Sequence, residues 1–77
     1  MTTQDRVIDI TKELLSVPVV VPESRFQDLG ADSLDMVDLV CAFEDEFNIT
    51  VGDRDLSKLV TVYDAVKYIE EKRNANG

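Results

Sequence analysis

A small four-helix bundle is the fold this sequence predicts: all-α, with three main helices, one short helix and a long first loop. Three observations carry it. Apolar residues recur at helical spacing in three separate stretches, a capping residue opens each stretch, and Pro18 and Pro22 interrupt the chain between the first two. With 77 residues, 44% of them hydrophobic, the chain can build one core, so residues 1–77 are read as a single domain.

The first helix is expected from Gln4 to Ser16, with Thr2 or Thr3 as its cap and Asp5 in the positive first turn. Val7, Ile10, Thr11 and Leu14 form its inward stripe, widened by Ile8 and Leu15. The two prolines end it, and Ser16 to Asp28 reads as a loop. Within that loop Val19, Val20 and Val21 are an extended piece laid over the helices, since no second strand is available to pair with them. Phe26 and Leu29 pin its far end to the core. The longest helix runs roughly from Ser33 to Asn48, with Met36, Leu39, Val40, Phe43 and Phe47 on its core face. A short helical turn over Asp53 to Leu59 offers Leu56, Leu59 and Val60 as apolar contacts. Thr61 caps the last helix with Asp64 three residues on, Val62, Ala65, Val66 and Ile69 face inward, and Lys72 and Arg73 suit the final turn. Asn74 to Gly77 is expected to fray.

The stretch that organises the chain is Leu29 to Asp35. Asp32 caps the long helix, Gly30 relieves the turn that feeds it, and the Ser33 hydroxyl then lies at the positive end of a helix, where a phosphate is favoured. A plain helix cap would use the same residues. The helix that follows carries a second apolar strip, Leu34, Val37 and Cys41, opposite the core face and rimmed by Asp38, Glu44 and Asp45, which suggests a docking surface. Between Arg25 and Arg54 there is no basic residue, whereas eight of the 16 acidic ones fall there.

Composition excludes much. The net charge of −8 argues against nucleic acid and anionic membranes and calls for partners with basic patches. No His is present and Cys41 is the only cysteine, so Ser–His and Cys–His nucleophilic machinery is impossible, and no zinc or iron site is expected. The acidic residues do not match a calcium loop. There is no apolar leader or membrane-span length of apolar residues, and the reading is of a cytoplasmic monomer.

The run Asp28-Leu29-Gly30-Ala31-Asp32-Ser33-Leu34-Asp35, with the acidic helix ending Glu44-Asp45-Glu46-Phe47 and the Thr61-Val62 opening of the last helix, resembles the acyl carrier proteins over nearly the whole chain. The resemblance implies a 4′-phosphopantetheine arm on Ser33 whose thiol holds acyl groups as thioesters, with no catalysis by the chain itself. It also implies fatty-acid or polyketide-like biosynthesis as the setting, and a phosphopantetheinyl transferase among the partners. On that reading Asp32, Leu34, Asp35, Val37, Asp38, Cys41, Glu44 and Asp45 dock partner enzymes, and Met36, Phe43, Leu59, Val62 and Ile69 line the path of a buried acyl chain. Three departures stand out against the family pattern. Phe26 lies one residue closer to Leu29 than in fatty-acid carriers, Gly52 stands where a Pro often precedes the short helix, and Cys41 replaces a Met or aliphatic residue. The competing reading is an acidic helical adaptor without a prosthetic arm, Ser33 being merely a helix cap.

Overall fold

The computed structural model describes residues 2–76, with side chains through residue 74. Its elements are α1 (Thr3–Leu15), α2 (Ser33–Phe47), a short 3-10 helix η1 (Asp53–Lys58) and α3 (Val62–Asn76). α1 packs against both α2 and α3. The expected all-helical bundle is therefore present, with η1 as the short helix.

Each long helix starts on the same device. The Thr2 hydroxyl accepts from Asp5 N at 3.1 Å and the Asp5 carboxylate accepts from Thr2 N at 3.3 Å. Thr61 and Asp64 repeat this for α3 at 3.1 and 3.0 Å. Such a reciprocal pair satisfies donors that the first turn cannot, and losing its cap residue costs about 1 kcal/mol. α1 and α2 end one residue earlier than expected, because Ser16 (φ 54°) and Asn48 (φ 56°) turn left-handed and close the last turn. α3 in contrast continues through Asn76, so residues 74–76 are helical and not a frayed tail; Gly77 lies outside the described residues.

The core joins Val7 and Ile10 of α1, Leu39, Val40 and Phe43 of α2, and Val62, Ala65, Val66 and Ile69 of α3. The connections add Val20, Phe26, Ile49 and Leu59. Thr11 is fully buried, and its hydroxyl donates to Val7 O at 2.8 Å, which removes the cost of a polar atom there. Leu14, on the same stripe, is 45% exposed; Leu15 and Val17 take the packed positions in its place.

In the first loop the three valines alternate: Val20 is buried while Val19 and Val21 are exposed. The loop does find a pairing partner, in the backbone that leads into the first turn of α3 and not in a second strand. Arg25 and Thr61 form an antiparallel bridge, with Phe26 N donating to Val60 O at 3.1 Å, Val62 N to Ser24 O at 2.9 Å and Tyr63 N to Pro22 O at 2.9 Å.

η1 buries no residue completely. Its backbone entry, Gly52, has φ −72° and ψ 148°, values any residue adopts, and a Cβ there would meet only Asp55 Oδ2 at 3.7 Å. Gly52→Ala should therefore stabilise the fold by about 0.4–1 kcal/mol through the unfolded chain, read as a higher urea midpoint at unchanged slope.

The Tyr68 hydroxyl donates to Asp55 Oδ2 at 2.5 Å, and Lys58 Nζ lies 3.2 Å from Asp55 Oδ1. The bond to Tyr68, then that to Lys58, holds the Asp55 carboxyl below its ordinary value. Burial first, and the bond to Asp55 next, raise the Tyr68 phenol. A depressed carboxyl lends stability above its unfolded pKa and loses it as pH falls through the folded value; a raised phenol lends stability below its unfolded pKa and loses it as pH rises through the folded one. Tyr68→Phe should thus be less stable than the parent around neutral pH, the gap narrowing in acid and in alkali. Urea unfolding across pH measures this, and a gap of constant size would refute it.

Candidate functional site

The chain reaches Ser33 through one tight turn. Leu29 N donates to Arg25 O, Gly30 N to Gln27 O and Ala31 N to Phe26 O, all at 3.0–3.1 Å, and Gly30 adopts φ 93°. This is the hydrogen-bond pattern of a helix end closed by a left-handed glycine, here ending a single turn. A Cβ at Gly30 would touch nothing within 4 Å, so it is the backbone angle that demands glycine.

Asp32 then caps α2. Its Oδ1 accepts from Asp35 N at 2.9 Å, and Asp35 Oδ2 accepts from Asp32 N at 3.1 Å. Two carboxylates at the mouth of the helix oppose a free phosphate, which corrects the idea of an anion-friendly end; a covalent bond to the hydroxyl needs no such affinity. Ser33, the first helical residue, is exposed, and the cap is supplied without its side chain.

Ser33 borders an open groove of about 420 Å³, bounded by Phe26, Gln27, Ala31, Asp32, Met36, Leu56, Leu59 and Val60. Of the residues expected to line a cargo path, Met36 and Leu59 border this groove. Phe43, Val62 and Ile69 do not: they are at most 1% exposed and packed in the core beneath. Helical periodicity marks them as inward but cannot separate groove wall from sealed interior. Phe26, Ala31, Leu56 and Val60 are the wall residues that periodicity missed; the two loop positions could have been suspected from their closeness to Ser33 in the chain.

Beyond the groove, Leu34 is 76% and Val37 49% exposed, and Cys41 is an exposed free thiol. The expected strip is thus uncovered in this chain. Asp32, Asp38 and Asp45 are exposed around it. Glu44 differs from the expectation, because its Oε2 accepts from Val51 N at 2.8 Å and it is half-buried, so the carboxylate serves the chain's own fold. Glu46 pairs with Arg6 at 2.6 Å. Among the described residues no group of three or more His, Cys, Asp or Glu could hold a metal ion, and no helix is long and apolar enough to cross a membrane.

Residues 5–69 match the phosphopantetheine attachment site family. The chain is 44% identical over 79 residues to an acyl carrier protein of Thermotoga maritima, covering 94% of this chain and 98% of that protein. A crystal structure of an acyl carrier protein from the same organism superposes with a TM-score of 0.82 at 32% identity, covering 95% of this chain and 88% of that one. A chain in the structure of the ishigamide ketosynthase/chain length factor gives a TM-score of 0.79 at 25% identity, with 92% and 93% covered.

Proposed function

The chain belongs to the acyl carrier protein family, whose members carry acyl groups on covalently attached 4′-phosphopantetheine and do not catalyse, and from that premise we propose that Ser33 is the attachment point. The observation that carries this is the exposed hydroxyl on the first residue of α2, at the lip of a partly apolar groove. Attachment there leaves the core untouched, since the helix cap belongs to Asp32 and Asp35. When bound, the arm supplies the thiol that holds the acyl group. Met36, Leu59, Phe26, Leu56 and Val60 offer a chain a partly apolar resting place, which is worth about 0.8 kcal/mol for each methylene withdrawn from water.

Partner enzymes meet the Leu34–Val37–Cys41 strip through apolar contact and the exposed Asp38 and Asp45 through basic residues of their own. The likeness to a chain found with a ketosynthase/chain length factor supports enzymes of acyl-chain assembly, fatty-acid or polyketide-like, as those partners, with a phosphopantetheinyl transferase acting first. The proposed setting is the cytoplasm, with residues 1–77 acting as one carrier domain that works as a monomer. Incubation with coenzyme A, magnesium and a broad-specificity transferase should add one phosphopantetheine to the intact mass, located by peptide mapping on Ser33. An unmodified chain would overturn the assignment and favour an adaptor without an arm.

Charge at the docking face should act on encounter. Asp38 is the informative position, because Asp35 and Glu44 are also tied into the fold. Asp38→Lys should slow transferase loading by up to about fivefold at low salt, each exposed pair contributing about 1 kcal/mol or less, and the difference should vanish as salt rises. Initial rates over a salt series test this; equal rates at low salt would remove Asp38 from the interface.

A further inference from the structure

One wall of the Ser33 groove is weakly built. Leu56, Leu59 and Val60 form it, and Leu56 belongs to η1, which has no fully buried residue. The segment is fixed at both ends. Before η1, Val51 N donates to Glu44 Oε2; after it, Val60 N and Thr61 N donate to Asp64 Oδ2 and Val60 O accepts from Phe26 N. Between those ends the hydrogen bonds of η1 run locally, Asp55 N to Gly52 O, Ser57 Oγ to Arg54 O and Leu59 N to Leu56 O, and the Lys58–Asp55 ion pair is local too. Among the described residues, the side-chain bond that ties η1 to another helix is that from the Tyr68 hydroxyl of α3 to Asp55, and the backbone N–H of Gly52, at the entry of η1, also bonds to that hydroxyl. Tyr68 itself does not border the groove.

We propose that the Tyr68–Asp55 hydrogen bond is a latch that holds η1 as a wall of the Ser33 groove, and so sets how well a chain tethered at Ser33 is shielded from water. Both residues act on the cargo through the position of Leu56 and its neighbours and touch none of it. The cargo half of this rests on Ser33 as the attachment point; the latch half does not.

The test therefore has two arms. In the unmodified chain, Tyr68→Phe should raise amide hydrogen exchange across residues 53–60 about fivefold, as expected for one lost hydrogen bond, with α1 unchanged. Thr2→Ala, which removes the α1 cap, is the control for general destabilisation. In chains loaded with an octanoyl thioester, Tyr68→Phe should speed thioester cleavage by hydroxylamine by a similar factor, and Thr2→Ala should not. Unchanged exchange in η1, or an equal rise in both variants, overturns the latch. Faster exchange with unchanged cleavage overturns its hold on the cargo. Failure of every chain to take up the thioester would instead refute Ser33 as the anchor, while the exchange arm still decides on the latch.

Discussion

Ser33→Ala should abolish phosphopantetheine attachment completely while leaving the fold as stable as the parent to within about 0.5 kcal/mol. The two halves of this expectation come from different atoms. The oxygen at position 33 is the nucleophilic atom the site offers for a phosphodiester, and alanine has none. The stability of the α2 start resides next door, where Asp32 accepts from Asp35 N and Asp35 from Asp32 N, so an exposed side chain at position 33 has little to lose. Asp32→Ala should show the converse: about 1 kcal/mol of lost stability through the missing cap, with attachment still possible on the folded fraction. Intact mass and urea unfolding on the same three proteins separate chemistry from architecture. Mass gain in Ser33→Ala would place the arm elsewhere.

Why part of this molecule was legible in the sequence, and part was not, follows from the range of the interactions involved. Caps are local: Thr61 with Asp64 spans three residues and is visible in the residue order, which also narrows the cap of α1 to Thr2 or Thr3 without fixing the Thr2–Asp5 pair. The exposed strip of Leu34, Val37 and Cys41 is likewise a matter of angle around one helix. The groove is not, because its walls come from the loop before α2, the start of α2, η1 and the residues just after η1, and their approach depends on backbone pairing between residues 24–26 and 60–62. Periodicity marks Phe43, Val62 and Ile69 as inward-facing without separating them from the residues that border the open groove. Tyr68 and Asp55 sit on separate elements, and nothing in the spacing of a tyrosine and an aspartate 13 residues apart announces a hydrogen bond. Glu44 reads in the sequence as one more surface charge, and only the fold brings the Val51 N–H, seven residues on, to its carboxylate.

The residue that couples the core to the site is Phe26, and its loss should be the most damaging single substitution to the fold near Ser33. Its ring is 2% exposed, its N–H holds Val60 O, and its carbonyl accepts from Leu29 and Ala31 in the turn that delivers Asp32 and Ser33. Removing a buried phenyl ring costs about 3–5 kcal/mol, against a total stability of about 4–12 kcal/mol for a domain of this length. Phe26→Ala should therefore lower the urea midpoint sharply and leave a visible unfolded population, whereas Phe26→Leu, which refills most of the volume, should cost less than about 1.5 kcal/mol. Attachment at Ser33 should slow in Phe26→Ala in proportion to the fraction unfolded, because the hydroxyl is presented only by the folded turn. An excluded osmolyte such as trimethylamine N-oxide restores the compact state without touching the site. If circular dichroism then reports a refolded Phe26→Ala whose loading rate returns to that of the parent, the ring acts through the fold. A refolded chain that is still slow would make the ring part of the surface that the transferase reads.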